Sequence, residues 1–358
     1  MSAPSLAAGP RALRRSLSLL ALLLPVVAAR AATLPNLYVA TVQPDPSAPD
    51  QRAAASETAF ARVLVRVTGN RYAALDPQLQ TLMHDAPRYL NSYGVDRQGR
   101  AVVGFSAARV DQALATLEIP AWGTQRPLTL LWIAVDDGAG GRALLPANEL
   151  GTNVAPSTGE LVTMIRTELA AVADERGLPI ALPLLDLQDL NAVHFTDVWG
   201  GFDDQVLLGS ARYRANAVLI GRAHPGLLGT EVEWLLLKDG ERRTLDGTAV
   251  RDGLDAVADV YASELGVVGG ATTTRLRVLD VATPADYGRV MSYLETLSAL
   301  QSVDVESFER GTLNLRVAAR GDARVLERVL ALGGVLRADA SPGNGGTLVF
   351  RIASAGAR

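Results

Sequence analysis

Residues 128–135 read Leu128-Thr129-Leu130-Leu131-Trp132-Ile133-Ala134-Val135, a stretch with a single polar side chain. A strand with one solvated face alternates polar and apolar residues, whereas a continuous apolar run is typical of a strand covered on both faces. The stretch therefore predicts the central strand of a layered α/β sheet. The main hydrophobic core is therefore expected to form around the middle of the sequence.

The sequence that follows alternates between strand and helix patterns, and it predicts a middle α/β domain over residues 127–268. Ser157 with Glu160 three residues later predicts a capping box, and apolar residues at helical spacing follow from Leu161 to Val172. The remaining predicted elements are strands at 180–185 and 217–220 with a helix at 206–213 between them, a hairpin at 232–245 and a helix at 254–265. Strands and helices in this succession favour helices packed on a sheet.

Two further domains flank the middle one. A helix with Phe60, Val63, Leu64 and Val67 on one face indicates an N-terminal α+β domain over residues 34–123. After a glycine-rich linker, residues 275–354 show a β-α-β-β-α-β order. That order predicts a C-terminal ferredoxin-like α+β domain, so the expected fold class is multi-domain, α/β and α+β.

The first 31 residues have the pattern of a secretory signal peptide. Arg11, Arg14 and Arg15 precede a short apolar stretch that ends in Ala29-Arg30-Ala31. The stretch is shorter than the ~20 residues that a bilayer-spanning helix needs. We expect cleavage between Ala31 and Ala32 and a periplasmic location, or anchoring in the inner membrane if the segment is not cleaved.

Composition narrows the classes of function. The chain has no cysteine, which excludes disulfides and thiolate metal sites. Signal cleavage would remove four arginines and no acidic residue, changing the formal net charge from −4 to −8. Such acidity argues against binding to nucleic acid or to anionic lipid, because both attract basic surfaces. No integral membrane span is expected after cleavage.

Five separated motifs together resemble a family of exported proteobacterial proteins known as domain of unknown function 2066 (DUF2066). The motifs are 37–42 (LYVATV), 65–70 (VRVTGN), 182–189 (LPLLDLQD), 197–202 (DVWGGF) and 212–221 (RYRANAVLIG). The resemblance would extend over nearly the whole mature chain. It implies a bacterial envelope location and carries over no catalytic or binding residue.

Paired carboxylates form the strongest candidate site. Asp186 and Asp189 follow a predicted buried strand, and open α/β sheets bind ligands beyond the carboxyl ends of their strands. Trp199 and Phe202 come in the next loop and suggest a binding edge. The functional interpretation is an acid/base pair or a ligand edge. The structural interpretation is that an aspartate caps the 187–193 turn and Trp199 packs on the core.

No cofactor or metal site is predicted. The chain has three histidines, and only His194, with Asp197 and Asp203, could form a loose cluster; zinc requires three convergent protein ligands. A non-catalytic envelope protein that binds or helps to assemble another envelope protein therefore fits the sequence best. The alternatives are a periplasmic small-molecule-binding protein and a hydrolase that uses Asp186 and Asp189.

Overall fold

The computed structural model describes residues 32–34, 36–148, 155–227, 229–269, 271–339 and 346–353. The predicted signal peptide, residues 1–31, lies outside the described residues. The fold is mixed α/β, as the sequence predicts: the described residues form ten α-helices, three sheets of three or more strands and one two-stranded pair. Within this part of the chain, no helix combines the length and the apolar character that crossing a membrane requires.

The described part of the chain forms sixteen strands and ten α-helices. The strands are β1 Ala32–Thr33, β2 Val39–Val42, β3 Leu90–Val95, β4 Ala101–Phe105, β5 Gln125–Arg126, β6 Thr129–Asp136, β7 Arg142–Leu144, β8 Ile180–Ala181, β9 Ala217–Gly226, β10 Gly229–Lys238, β11 Glu241–Leu245, β12 Ala271–Leu279, β13 Leu300–Glu309, β14 Thr312–Arg320, β15 Leu336–Ala338 and β16 Leu348–Ile352. The helices are α1 Gln51–Thr68, α2 Pro77–His84, α3 Ala107–Thr116, α4 Pro156–Arg176, α5 Leu187–Ala192, α6 Phe195–Gly200, α7 Asp203–Ser210, α8 Val250–Leu265, α9 Pro284–Thr296 and α10 Ala323–Leu332.

The N-terminal sheet has the strand order β2-β4-β3, and α1 packs against it. Asp50 caps α1 by accepting the Ala53 N–H, and Gly69, with φ of 71°, ends the helix. The predicted apolar stripe of α1 is fully buried in the N-terminal core beside Leu79, Val103 and Leu114. Spacing along the helix therefore places its core face correctly.

The middle sheet has the order β11-β10-β9-β6-β7, with the short β8 also paired to β6. β6 is parallel to both β8 and β9. Leu131, Ile133 and Val135 face the layer of α4 and α8, whereas Leu130 and Trp132 face α5, α6 and α7. The prediction of a strand covered on both faces is confirmed, because seven of the eight β6 residues are buried.

The C-terminal sheet has five strands in the order β13-β14-β12-β16-β15, with α9 and α10 packed on one face. In a split βαβ sheet of four strands, the strand after the second helix lies beside the first strand. Here β16 takes that position, parallel to β12, and β15 pairs with the outer side of β16. The specific ferredoxin-like arrangement is not confirmed.

The start of α4 differs from the capping box predicted at Ser157 and Glu160. Pro156 occupies the first turn and Ala155 is the N-cap residue, so Ser157 lies inside the helix. The Ser157 hydroxyl donates instead to the Asp137 carboxylate, with an oxygen–oxygen distance of 2.8 Å. Proline suits the first helical position because it has no N–H to donate, and it displaces the helix start by two residues.

Candidate functional site

Three short helices, α5, α6 and α7, cover one face of the middle sheet, and the predicted site residues lie in them or at their N-caps. Their inward side chains, Val193, Val198 and Val206, are fully buried against Leu130 and Trp132 of β6. We call these helices, with residues 184–186 that lead into them, the α5–α7 layer. Only the inward side chains of this layer belong to the hydrophobic core.

Asp186 begins α5 as its N-cap residue. Its side chain accepts the backbone N–H groups of Gln188 at 3.1 Å and Asp189 at 3.0 Å. Arg212 donates to the same carboxylate through both terminal nitrogens, from Nη1 to Oδ1 at 2.7 Å and from Nη2 to Oδ2 at 2.9 Å. These hydrogen bonds, the one from Arg212 first, lower the pKa of Asp186 to about 2.

Asp189 is buried and accepts from three groups. The Leu185 N–H donates to Oδ2 at 2.9 Å, and Arg212 Nη1 donates to Oδ1 at 2.9 Å. The Tyr213 hydroxyl donates to Oδ2 and itself accepts the Leu184 N–H at 2.8 Å. Burial, together with the bond to Asp189, raises the pKa of Tyr213 to about 12. The tyrosine therefore remains a neutral donor.

The network also holds a strained backbone. Leu185 has φ of 51°, a left-handed conformation that a branched side chain adopts only at a cost in free energy. The bonds from its own N–H and from the Leu184 N–H fix this turn. Asp186 therefore caps α5, as in the structural interpretation of the two aspartates. Arg212 and Tyr213 add further hydrogen bonds to these carboxylates.

The chemistry open to the two carboxylates is limited. A general acid needs a proton near neutral pH, and the lowered pKa of Asp186 leaves that residue ionised. A general base needs a free lone pair directed at substrate, and here the lone pairs accept hydrogen bonds from the protein. Arg212 and Tyr213 also lie five and four residues before the amino end of β9, whereas ligand sites of open α/β sheets lie at carboxyl ends.

The two aromatic residues of the predicted edge have different environments. Trp199 is half-buried and stacks on Phe195, with ring centroids 5.4 Å apart. Phe202 is 61% exposed, and its ring lies over Gly200. Trp199 thus packs within the layer, and Phe202 faces solvent.

The loose cluster of His194, Asp197 and Asp203 does not converge. His194 and Asp197 cap α6, where Asp197 Oδ2 accepts the His194 N–H at 2.7 Å. Asp203 pairs instead with Arg242 of β11. No group of three histidine, aspartate or glutamate side chains with metal-binding geometry occurs in the described part of the chain.

The feature that sequence reasoning missed is the outer surface of the layer. Six large apolar side chains within 25 residues are exposed: Leu184, Leu187, Leu190, Phe202, Leu207 and Leu208. We call these six residues the α5–α7 patch. Leu187 and Leu190 stand three residues apart and are exposed, whereas Asp189 of α5 and Val193, which follows the helix, are buried. The sequence signal for this surface was the presence of apolar residues at exposed as well as at buried positions of one short segment.

Comparison with known proteins identifies part of the N-terminal region. Residues 31–123 match a family described as a domain of unknown function, DUF8605. The expected membership of DUF2066 is wrong, because the matching family is a different one. The short motifs that suggested DUF2066 are ordinary strand and helix-end sequences and do not discriminate between families. No match was found among curated proteins or among solved structures.

Proposed function

We propose that this protein is a non-catalytic binding protein and that the α5–α7 patch is its contact surface for another protein. The observation that carries the proposal is the concentration of exposed apolar side chains on one rigid layer. Leu187 is 80% exposed, Leu208 is 72% exposed and Phe202 is 61% exposed. Apolar side chains scattered singly over a surface need no explanation, but clustered ones mark interaction sites.

Hydrogen bonds at both ends of α5 support a continuous patch. Gln205 Nε2 of α7 donates to the Ala192 carbonyl at 2.6 Å, at the end of α5. At its start, Asp186 binds Arg212, which follows α7. The two helices therefore run antiparallel, and Leu208, at helical spacing between Gln205 and Arg212, lies alongside the exposed side of α5.

The patch is held rigid before any partner arrives. Arg212 and Tyr213 lock the turn before α5, and the buried valines fix the helices on the sheet. A surface ordered in advance loses less conformational entropy on binding. Burial of one exposed leucine contributes roughly 1.5–3 kcal/mol, and a few residues carry most of the binding energy in a typical interface.

The geometry favours protein binding over the two alternatives. A hydrolase using Asp186 and Asp189 would need a free carboxylate, and both are engaged by Arg212. A small-molecule site would need a concave pocket lined by convergent polar groups, whereas the patch is formed by the outward side chains of helices.

The test is affinity purification of the tagged protein from the cell envelope after crosslinking. We expect one stoichiometric partner with the wild-type chain, and its loss with the double variant Leu187→Asp/Leu208→Asp. The matched control is Leu75→Asp, which alters an equally exposed leucine, 72% exposed, in the N-terminal part of the chain. Retention of the partner by the double variant would refute the contact surface.

Two finer proposals accompany this one. The pattern of residues 11–31 supports a periplasmic location, which fractionation of a C-terminally tagged chain would test. We also propose that the C-terminal sheet is a ferredoxin-like unit into which β16 has been added beside β12, since the remaining strand order follows that fold. A chain ending at residue 339 should then retain a folded four-stranded unit.

A further inference from the structure

A small cavity lies where the N-terminal, middle and C-terminal parts of the chain meet. It has a volume of about 30 Å³, and its polar lining residues are Tyr38, Asp111, Trp122, Gln125, Ser298 and Arg320. The Tyr38 hydroxyl donates to Asp111 Oδ1 at 2.5 Å, and Arg320 Nη2 donates to Asp111 Oδ2 at 3.1 Å. A cavity of this size holds one or two water-sized groups.

Arg126 does not line the cavity, but it is fully buried and contacts Trp122, which does. Its guanidinium carbon lies 3.5 Å from the centre of a Trp122 ring, and Nη2 donates to the carbonyls of Arg66 and Trp122 at 2.8 Å. Nε and Nη1 have no partner among the described residues. A buried charge without a counter-ion is strongly unfavourable.

The charges around the junction leave one positive charge in excess. Arg66 is neutralised by Asp174 at 2.8 Å, and Arg320 is neutralised by Asp111 at 3.1 Å. Arg126 forms no ion pair among the residues that the structure describes. Burial and the neighbouring Asp111 raise the pKa of Tyr38, so its hydroxyl cannot supply the missing negative charge.

Three residues that line the cavity, Trp122, Ser298 and Arg320, carry hydrogen-bond donors. Trp122 Nε1 is buried, and it too lacks a partner within the described ranges. Ser298 Oγ accepts the Thr124 N–H at 3.3 Å, which leaves its own hydroxyl hydrogen available to donate. Arg320 contributes a guanidinium at the rim, 17% exposed.

We propose that this junction binds one small monovalent anion, a halide ion or the carboxylate of a short acid. Trp122 Nε1, Ser298 Oγ and Arg320 would donate to it, and Arg126 would balance its charge. The bound anion would join all three parts of the chain, so its occupancy would stabilise the whole fold. The site is independent of the α5–α7 patch.

The test compares anions at constant ionic strength and pH. Thermal unfolding is followed in sodium chloride, in sodium acetate and in sodium gluconate, whose anion is too large for the cavity. We expect the midpoint to rise by about 2–4 °C in chloride or acetate relative to gluconate. The salt that gives the larger rise distinguishes a halide site from a carboxylate site.

Variants identify the residues responsible. Arg126→Met removes the excess charge and should abolish the difference between salts, whereas Arg97→Met, at an exposed position, should preserve it. Trp122→Phe retains the ring and removes only the N–H donor, so it should reduce the anion effect. The chloride-35 NMR line width with the wild-type protein, reversed by acetate, provides a measurement that needs no variant.

The proposal is overturned if the unfolding midpoint and the chloride line width are the same in every salt. It is equally overturned if Arg126→Met folds and retains the full difference between salts, because the effect would then arise elsewhere.

Discussion

A buried aspartate stabilises a turn with left-handed backbone geometry. Asp189 binds the N–H of Leu185, a residue with φ of 51°, and it also binds the side chains of Arg212 and Tyr213. Three hydrogen bonds compensate the Asp189 carboxylate for its burial. These bonds are strong because the carboxylate is negatively charged. The acid that sequence reasoning selected for catalysis is therefore better understood as a structural residue.

We expect Asp189→Asn to lower the free energy of unfolding by about 1–3 kcal/mol, because a buried neutral amide is a poorer acceptor for Leu185, Arg212 and Tyr213 than the carboxylate. Urea denaturation measures this change. Asp246→Asn, at an exposed position, should change stability by less than about 0.5 kcal/mol. Equal stabilities of the two variants would contradict the structural role of Asp189.

Asp186 should make stability depend on acid pH. Its folded-state pKa of about 2 lies below the usual aspartate value of about 3.9. The unfolded state therefore binds the proton more readily, so this contribution is complete above about pH 4 and is lost as pH falls towards 2. Urea midpoints between pH 2 and 5 should fall less steeply for Asp186→Asn than for the wild type. Parallel curves would exclude the coupling.

The hydrogen-bond donors to Asp186 and Asp189 show which part of the site can be predicted from the sequence and which cannot. Asp186 followed by Leu187 and Asp189 is recognisable as a helix cap, because the cap and its N–H groups are neighbours in sequence. Arg212 and Tyr213 lie 23 and 24 residues beyond Asp189. Their approach depends on how α7 returns along α5, which no local pattern specifies.

Elements differ in how strongly their sequences specify them. The apolar run of β6 can only be buried on both faces, so its place in the sheet follows from hydrophobicity. The α5 and α6 helices, of six residues each, are too short to show a helical period. Pairing of β16 with β12 joins segments about 70 residues apart, and its register depends on the packed core.

Two glycines within helices offer a matched pair of predictions. A Cβ atom on Gly253 of α8 would lie 2.4 Å from Trp234 Cδ2, whereas one on Gly288 of α9 would meet nothing within 4 Å. Gly288→Ala should stabilise the protein by about 0.5–1 kcal/mol through helix propensity alone. Gly253→Ala should destabilise it by about 1–3 kcal/mol, because overpacking outweighs that gain.

Thermal unfolding of the two variants measures both changes. If Gly253→Ala were as stabilising as Gly288→Ala, the close packing of α8 on β10 would be disproved.

At the scale of the whole molecule, buried charges join the N-terminal and middle parts of the chain. Asp255 of α8 binds Arg176 at 3.0 Å and Arg251 at 2.9 Å, and Arg71 approaches from the N-terminal part at 3.5 Å. The fully buried Arg176 also donates to the Gly69 carbonyl at 2.8 Å, across the same boundary. The two parts are therefore expected to unfold together.

Asp255→Asn should lower the free energy of unfolding by about 3–5 kcal/mol, since it removes the buried carboxylate that pairs with the fully buried Arg176. Asp259 also pairs with Arg176 but is 52% exposed, and Asp259→Asn should cost less than about 1 kcal/mol. Calorimetry should show one transition for the wild type. Two separate transitions in the wild type would show that the boundary does not couple the parts.

Site-specific photo-crosslinking in living cells tests the central claim most directly. A photoreactive amino acid is placed at position 187 in the α5–α7 patch or, as the control, at position 75. We predict that irradiation crosslinks position 187 to one specific envelope protein and that position 75 does not form this crosslink. Crosslinks from both positions to the same mixture of proteins, or from neither position, would contradict it.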